Sequence, residues 1–274
     1  MENGNDFHAL KIFLDDATDF FNCPDFIPED PISIPHRYEL REDIEISAFL
    51  AAIMAWGNRK TIITKAWELL ERMGHQPFKF VMDDNPQKYK FIEGFKHRTL
   101  NEEDIIFLLE GLHFIYKEYK SPEKLFKPQQ NETDTSGGIR RFVDFMLEIP
   151  HSKRSIKHLP NLEKGSAAKR INLFLRWMVR KDDKGVDFGL WNIPASKLLC
   201  PLDVHSGHTA RKLGLITRTQ NDLKAVIELT SHLRELDAND PIKYDFALFG
   251  LSMQKNHCFI PPSVGLFENG LLWN

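Results

Sequence analysis

The sequence predicts an all-α protein built as two helical lobes with a cleft between them. Apolar residues recur at the i, i+3, i+4 spacing of one helix face along nearly the whole chain. No stretch alternates apolar and polar residues as a half-buried strand does, and no segment repeats at the period of a solenoid or propeller. With 274 residues, the chain is long enough to bury a sizeable core.

In the first third of the chain, the spacing predicts an amphipathic helix over residues 7 to 21. Four prolines in "NCPDFIPEDPISIPHR" then predict an extended strap, because the residue before a proline disfavours the helical region. Residues 41 to 74 fit two helices that break at "WGN", residues 56 to 58, where glycine and asparagine suit a C-terminal cap. Gly74 closes the second helix.

The rest of the chain continues the helical pattern. Residues 100 to 120 predict a helix with one buried face, for which Asn101 is the N-terminal cap. The polar stretch "KPQQNETDTSGG" predicts a mobile loop, and a helix follows over about 138 to 148. A turn, "LPNLEKGS", leads into a helix that starts near Ser166. Further helices are predicted after Asp203, in "TQNDLKAVIELTSHLREL" and in "NDPIKYDFALFGLSM".

Composition indicates a cytoplasmic globular protein. No apolar run approaches the ~20 residues that span a bilayer, and "MENGNDFHALKIFLDD" lacks the charged-then-apolar order of a signal peptide. Cys23, Cys200 and Cys258 are too far apart in sequence to suggest a disulfide framework or a thiolate cluster. We therefore expect no membrane association and no cofactor.

The charge distribution favours a phosphate-bearing partner, although the formal net charge is −3. Residues 151 to 218 hold fourteen Lys and Arg against five Asp and Glu, an excess of +9. A basic segment on an acidic body is expected of a protein that contacts phosphates with one face. A solvated lysine-rich surface without a partner is the alternative that charge alone leaves open.

Two stretches contain residues suited to chemistry. In "LPNLEKGSAAKR", the backbone amides around Gly165 and Ser166 are suited to binding a DNA phosphate. Arg170 and Arg176 on the following helix are suited to contacting the sugar–phosphate backbone of DNA. An ordinary helix start facing water is the alternative.

Lys169 is a candidate nucleophile, because it follows two alanines that leave its amine accessible. A neighbouring cation and the helix dipole oppose its protonation, and such an environment favours a nucleophilic amine.

In "CPLDVHSGHTARKLGL", Asp203 directly precedes a predicted helix, with His205 and His208 following. The aspartate suits a helix cap, a catalytic carboxylate, or both, because an N-cap carboxylate can also face a cleft. The two histidines share one helix face and with Asp203 offer a metal site. No second ligand cluster in the sequence completes such a site, so we predict no metal.

Together, the "LP…G" turn, the lysine opening the next helix and the "PLDVH" element resemble the helix-hairpin-helix (HhH-GPD) DNA glycosylases. The resemblance covers roughly residues 40 to 253 and is strongest over 159 to 215. The whole chain most resembles an uncharacterised bacterial family of that superfamily, DUF2400, and among known activities the archaeal-type 8-oxoguanine glycosylases. In the turn, Asn161 and Glu163 replace the family's usual glycines.

The resemblance implies a division of the chain and roles for its residues. It implies an N-terminal helix and strap (1–40), a glycosylase-like core (41–253) and a tail (254–274), with the hairpin at about 158–180 and the catalytic helix at about 203–213. Lys169 would attack the sugar and Asp203 would assist catalysis. Lys164 is a rival nucleophile, but the 34-residue separation between Lys169 and Asp203 is close to the archaeal type.

The resemblance also implies a partner and a reaction. The partner would be double-stranded DNA with a damaged base such as 8-oxoguanine, bound by a monomer with combined glycosylase and lyase activity. Residues near the helix break, Asn58 and Arg59, would kink the duplex. Trp56, Trp177 and Trp191 are candidates for stacking on the extruded base. A non-enzymatic DNA-binding protein and, less well supported, a metal-dependent hydrolase are the alternatives.

Overall fold

The computed structural model describes residues 4 to 253, and it is all-α apart from one two-stranded hairpin in that range. The predicted tail, 254–274, and Cys258 within it lie outside the described residues. The described α-helices are α1 (Gly4–Phe21), α2 (Arg41–Met54), α3 (Arg59–Arg72), α4 (Pro77–Met82), α5 (Glu102–Tyr119), α6 (Glu123–Phe126), α7 (Ser136–Glu148), α8 (Lys169–Val179), α9 (Val204–Lys212), α10 (Leu223–Leu236) and α11 (Tyr244–Met253).

The strand pair was not predicted from sequence. Strand β1 (Lys96–His97) pairs antiparallel with β2 (Leu100–Asn101). With two residues in each strand, the hairpin is too short to show an alternating pattern. Its tip residue Arg98 adopts a left-handed conformation, with φ of 53°.

The strap is not extended as predicted. It folds into three short 3₁₀ turns, at Pro24–Glu29, Pro31–Ser33 and Pro35–Arg37. Each turn begins with a proline, whose fixed φ suits a first helical position where no amide donor is needed. Ile32 and Ile34 are fully buried, so the strap is anchored to the core.

The helix boundaries follow the predicted signals with two corrections. Asn101 caps α5 with a capping box as predicted, accepting from the Asp104 amide at 3.1 Å. Asn58, however, caps the start of α3 and not the end of α2, because its side chain accepts from the Thr61 amide at 3.1 Å. Helix α8 begins at Lys169 and not near Ser166, since Ala168 takes a left-handed conformation (φ 48°) that interrupts the turn.

The helices pack around a shared aromatic core. Helix α2 packs against α8, while α11 packs between α1 and α9. Fully buried aromatic rings, such as those of Phe49, Phe142 and Phe174, contact one another between α2, α7 and α8. Among the described residues, no helix combines the length and apolar character that crossing a bilayer requires. The division into two lobes stays a prediction.

Candidate active site

A cleft of about 1200 Å³ opens where α3, α8 and α9 begin. Its remaining walls come from the strap, from α11, from the segments just before α3, α8 and α9, and from single residues such as Thr99 and Asn221. Among the residues that line it are Phe26, Asp30, Trp56, Asn58, Arg59, Lys157, Gly165, Ser166, Lys169, Arg170, Asp203, His205, Asp245 and Phe249. The cleft therefore collects most of the predicted site residues from distant parts of the sequence.

Three helix N-termini face this cleft, those of α3, α8 and α9. The first amides of a helix have no intrahelical acceptor, and the helix dipole makes this end positive. Side chains cap α3 and α9, but no side chain caps α8. The cleft is thus suited to anionic groups such as phosphates.

Lys169 and Asp203 meet inside the cleft. The amine Nζ of Lys169 lies 3.3 Å from Oδ2 of Asp203 and donates to the carbonyl of Ala55 at 3.4 Å. The Lys169 side chain is 31% exposed and that of Asp203 19%, so both are reachable from the cleft. A lysine beside a fixed carboxylate provides a nucleophile and a charge-stabilising group in one place.

Asp203 is held rigidly by the start of α9. Its Oδ1 accepts from the amides of His205 at 2.8 Å and Ser206 at 3.0 Å, while its own amide donates to Ser206 Oγ at 3.0 Å. Asn221 Nδ2 donates to the Asp203 carbonyl at 2.8 Å. Burial alone would raise the pKa of Asp203, but the charge of Lys169 and these hydrogen bonds lower it below its usual value. The carboxylate is therefore ionised at neutral pH.

The rival lysine is placed differently. Lys164 is exposed and is not among the residues that line the cleft. Its amide donates to Asn161 Oδ1 at 2.9 Å, and the amides of Gly165 and Ser166 donate to the carbonyls of Leu162 and Asn161 at 2.9 and 3.0 Å. The predicted grip of the Gly165 and Ser166 amides on a phosphate is thus corrected, because both already have acceptors within the turn.

The two arginines predicted to contact DNA are also committed elsewhere. Arg176 lines the cleft, but it is 3% exposed and donates to Asp245 at 2.5 Å and to Asp187 at 3.3 Å, so its guanidinium is engaged by carboxylates and the structure gives no support to its predicted contact with a phosphate. Arg170 is half-buried and donates to the carbonyls of Ile53 at 2.9 Å and His158 at 3.0 Å. Burial lowers the pKa of Arg170 to about 10. Arg170 therefore lines the cleft while it holds the start of α8 against the carbonyls of Ile53 and His158.

The three tryptophans separate into one cleft residue and two core residues. Trp56 lines the cleft, stacked on His158 at 6.2 Å, with the Arg170 guanidinium 5.0 Å from its ring. Trp177 is fully buried, and Trp191 is 3% exposed with its Nε1 donating to Glu45 at 2.7 Å. Trp177 and Trp191 are therefore corrected from base-pocket candidates to core residues.

The residues at the helix break, which were predicted to kink the duplex, line the cleft. Asn58 is exposed, and Arg59 is half-buried with its guanidinium 4.4 Å from the ring of Phe249. The buried Nη2 of Arg59 has no hydrogen-bond partner within residues 4 to 253. This donor is buried in the structure, so its hydrogen-bonding capacity is unused there.

Comparison with known families gives one result for this chain. A family model described as "Protein of unknown function (DUF2400)" matches residues 30–254. The chain belongs to this family. The match spans all the cleft residues named above except Phe26. Comparisons with curated proteins and with solved structures found no match.

A metal site at the start of α9 receives no support from the geometry. Within residues 4 to 253, no three His, Cys, Asp or Glu side chains come together in a way that could hold a metal ion. His205 Nδ1 lies 3.2 Å from Ser252 Oγ, and His208 is exposed and is not among the cleft residues. Asp203, the third proposed ligand, is engaged by Lys169 and backbone amides.

Sequence reasoning missed the cleft residues contributed by the strap and by α11. Asp30 and Phe26 lie in the strap, and Asp245 and Phe249 lie on α11. In the sequence, "YDFALFGL" reads as an ordinary apolar helix. The only available signal was one carboxylate, Asp245, on the apolar stripe of a helix that is otherwise buried.

Proposed function

We propose that this protein is a base-excision DNA glycosylase that also cleaves the resulting abasic site. The observation that carries the proposal is the Lys169–Asp203 pair, 3.3 Å apart in an open cleft among helix N-termini. The all-α architecture would then be a two-lobed helix-hairpin-helix glycosylase fold, acting in the cytoplasm on double-stranded DNA with a damaged base. The DUF2400 family would be a branch of that superfamily.

The chemistry follows from the two side chains. Lys169 Nζ passes a proton to the departing base and attacks C1′ of the extruded nucleotide as the glycosidic bond breaks. Nζ then passes a second proton to O4′ as the C1′–O4′ bond opens, which leaves a protonated imine between C1′ and Nζ. The ionised Asp203 stabilises the positive charge that develops on the sugar. Transfer of a C2′ proton to the Asp203 carboxylate then expels the 3′ phosphate, which is the lyase step.

Features of the cleft support DNA as the partner. Its volume of about 1200 Å³ exceeds the ~300–1,000 Å³ of typical small-molecule sites, which leaves room for a nucleotide and its flanking phosphates. The uncapped start of α8 and the exposed side chain of Lys157 offer positive charge at the cleft. Trp56 offers an aromatic surface for a base.

The test is a panel of duplexes, each with one damaged base, incubated with the protein and borohydride. Borohydride reduction of a protein–DNA imine gives a stable amine crosslink, so a cleavable lesion should give a crosslinked species together with free base; 8-oxoguanine is the first lesion to test. If no lesion and no abasic site gives a crosslink, while duplex binding persists, a non-enzymatic DNA-binding protein replaces this proposal.

A further inference from the structure

The segment that leads into α10, residues 218 to 223, contacts the starts of both helices that carry the Lys169–Asp203 pair. Helix α8, which begins with Lys169, packs against α2, whereas α9, which Asp203 caps, packs against α11. The two helices therefore rest on different neighbours. The 3.3 Å between the amine and the carboxylate depends on what holds the two helix starts together.

Asn221 in this segment holds the start of α9. Its Nδ2 donates to the carbonyl of Asp203 at 2.8 Å, and its Oδ1 accepts from Arg211 Nη2 at 2.6 Å. The same carbonyl accepts from the amide of Gly207 at 2.9 Å, which is the first hydrogen bond of the helix. An amide side chain has one donating and one accepting end, and a carbonyl and a guanidinium match these two ends. Both polar ends of Asn221 are thus engaged by α9.

The first residue of α10 holds the turn before α8. The first amides of a helix have no intrahelical acceptor, and here the amide of Leu223 donates to the carbonyl of Gly165 at 2.9 Å. Gly165 lies four residues before Lys169, and its φ of 80° favours glycine. Asn221 and Leu223 therefore tie the backbone of Asp203 to the turn that precedes Lys169.

Helix α9 leaves space for the Asn221 side chain. Position 207 is a buried glycine inside the helix. A Cβ atom at this position would lie 2.7 Å from Asn221 Oδ1 and 3.0 Å from Asn221 Nδ2, which is closer than non-bonded atoms pack. The missing side chain at Gly207 is therefore what allows Asn221 to reach the Asp203 carbonyl.

We infer that Asn221 is a positioning residue, which sets the placement of Asp203 relative to Lys169. The inference rests on the proposed glycosylase function and deepens it. Within residues 4 to 253, the Asn221 side chain bonds to the Asp203 carbonyl and to Arg211, and not to the Asp203 carboxylate or the Lys169 amine. A displacement of about 1 Å can slow a reaction on the order of 100-fold. Asn221 should therefore affect the chemical step and leave DNA binding unaffected.

The probe is a duplex with one abasic site, because its cleavage uses both members of the pair and requires no base to be identified. Single-turnover strand cleavage at saturating protein reports the chemical step, and fluorescence anisotropy reports duplex affinity. Asn221→Ala removes the bond to the Asp203 carbonyl, whereas Gly207→Ala displaces the Asn221 side chain without replacing it. Each variant should cleave on the order of 10- to 100-fold more slowly, with duplex affinity unchanged.

Two further measurements separate this role from a loss of folding. Alanine favours a helix more than glycine does, so thermal denaturation should show that Gly207→Ala keeps a stable fold while its cleavage is slow. A double variant with both substitutions should be no slower than the slower single variant, because both substitutions act through the same hydrogen bond.

Asp222→Ala is the matched control in the same segment. Asp222 accepts from the Ala225 amide at 3.1 Å and pairs with Arg218, and it does not line the cleft. Its replacement should lower stability by weakening the cap of α10, and cleavage should stay at the wild-type rate.

A wild-type cleavage rate in Asn221→Ala or in Gly207→Ala would overturn the inference. An equal loss of rate in Asp222→Ala, or a loss confined to duplex affinity, would also overturn it. A wild-type protein that cleaves neither an abasic-site duplex nor any lesion duplex would instead remove the proposed function itself.

Discussion

Lys169 Nζ lies 3.3 Å from Asp203 Oδ2, although 34 residues separate them in the sequence. Each residue stands at the start of its own helix, Lys169 as the first residue of α8 and Asp203 as the N-cap of α9. A side chain at a helix start extends beyond the helix end, so two converging helix starts bring the amine and the carboxylate together. The following predictions examine this pair and its surroundings.

Lys169→Gln should abolish the borohydride crosslink to a cleavable lesion duplex, because the amide cannot form an imine. Duplex affinity should change little, since Lys169 is one of several cleft cations. Lys164→Gln is the control and should crosslink as the wild type does, because Lys164 does not line the cleft. Crosslinking that persists in Lys169→Gln and disappears in Lys164→Gln would move the nucleophile to Lys164.

Asp203→Asn should separate catalysis from stability. The asparagine oxygen can still accept from the amides of His205 and Ser206, so the free energy of unfolding should fall by less than about 1 kcal/mol. The rate of base release should fall on the order of a hundredfold or more, since a charge-stabilising group is lost. Urea denaturation and single-turnover kinetics measure the two effects. A near-normal rate would show that Asp203 is only a cap.

Lys153 and Lys157 are exposed residues of the basic segment, and Lys157 lines the cleft. Replacing both with alanine should weaken binding to all duplexes alike and reduce the salt slope, d log K/d log[salt], by about 2. Fluorescence anisotropy over a salt series measures the affinity. If the variant with both lysines replaced binds as the wild type does, this face does not contact DNA.

Arg176→Ala should instead lower the free energy of unfolding by about 3 to 5 kcal/mol, because it leaves buried carboxylates unpaired.

Asp104 should make folding sensitive to acid. Burial by itself raises the pKa of Asp104, but bonds from Ser155 Oγ and the Asn101 amide, with the charges of His158 and Arg154, lower it below 3.8 overall. A lowered folded-state pKa stabilises the protein above the unfolded value, and that stability is lost as pH falls below about 4. Asp104→Asn should cost about 1 to 3 kcal/mol at pH 7 and flatten this dependence.

Chemical denaturation between pH 7 and pH 2.5 measures the effect of Asp104. Asp183→Asn, at an exposed carboxylate, is the control and should follow the wild-type curve. An Asp104→Asn protein whose acid sensitivity matches that of the wild type would contradict the assignment.

Chelation distinguishes the proposed reaction from a metal-dependent hydrolase. The lysine and aspartate chemistry needs no metal, so base release should be unchanged after dialysis against EDTA. His205→Ala and His208→Ala should each leave the metal content of the protein unaltered. Elemental analysis that finds stoichiometric zinc, manganese or iron, lost in either variant, would support the hydrolase instead.

The sequence by itself determined the all-α class and predicted most of the residues that the structure brings together in the cleft. Helical spacing identified the all-α class, and capping signals located local boundaries such as Asn101 before α5 and Asp203 before α9. These features depend on neighbouring residues in the chain, so a single sequence contains them. Lys169 and Asp203 were named for the same reason, since each stands out within its own helix start.

Only the tertiary structure decided which charges are free. Arg176 was predicted from its basic segment to contact DNA, but Asp187 and the distant Asp245 pair with it, and the neighbouring Arg180 pairs with Asp187 and the distant Asp240. Likewise, the strap and α11 complete the cleft with Asp30, Asp245 and Phe249. Burial and ion pairing depend on contacts between residues far apart in the chain, and no local pattern specifies those contacts.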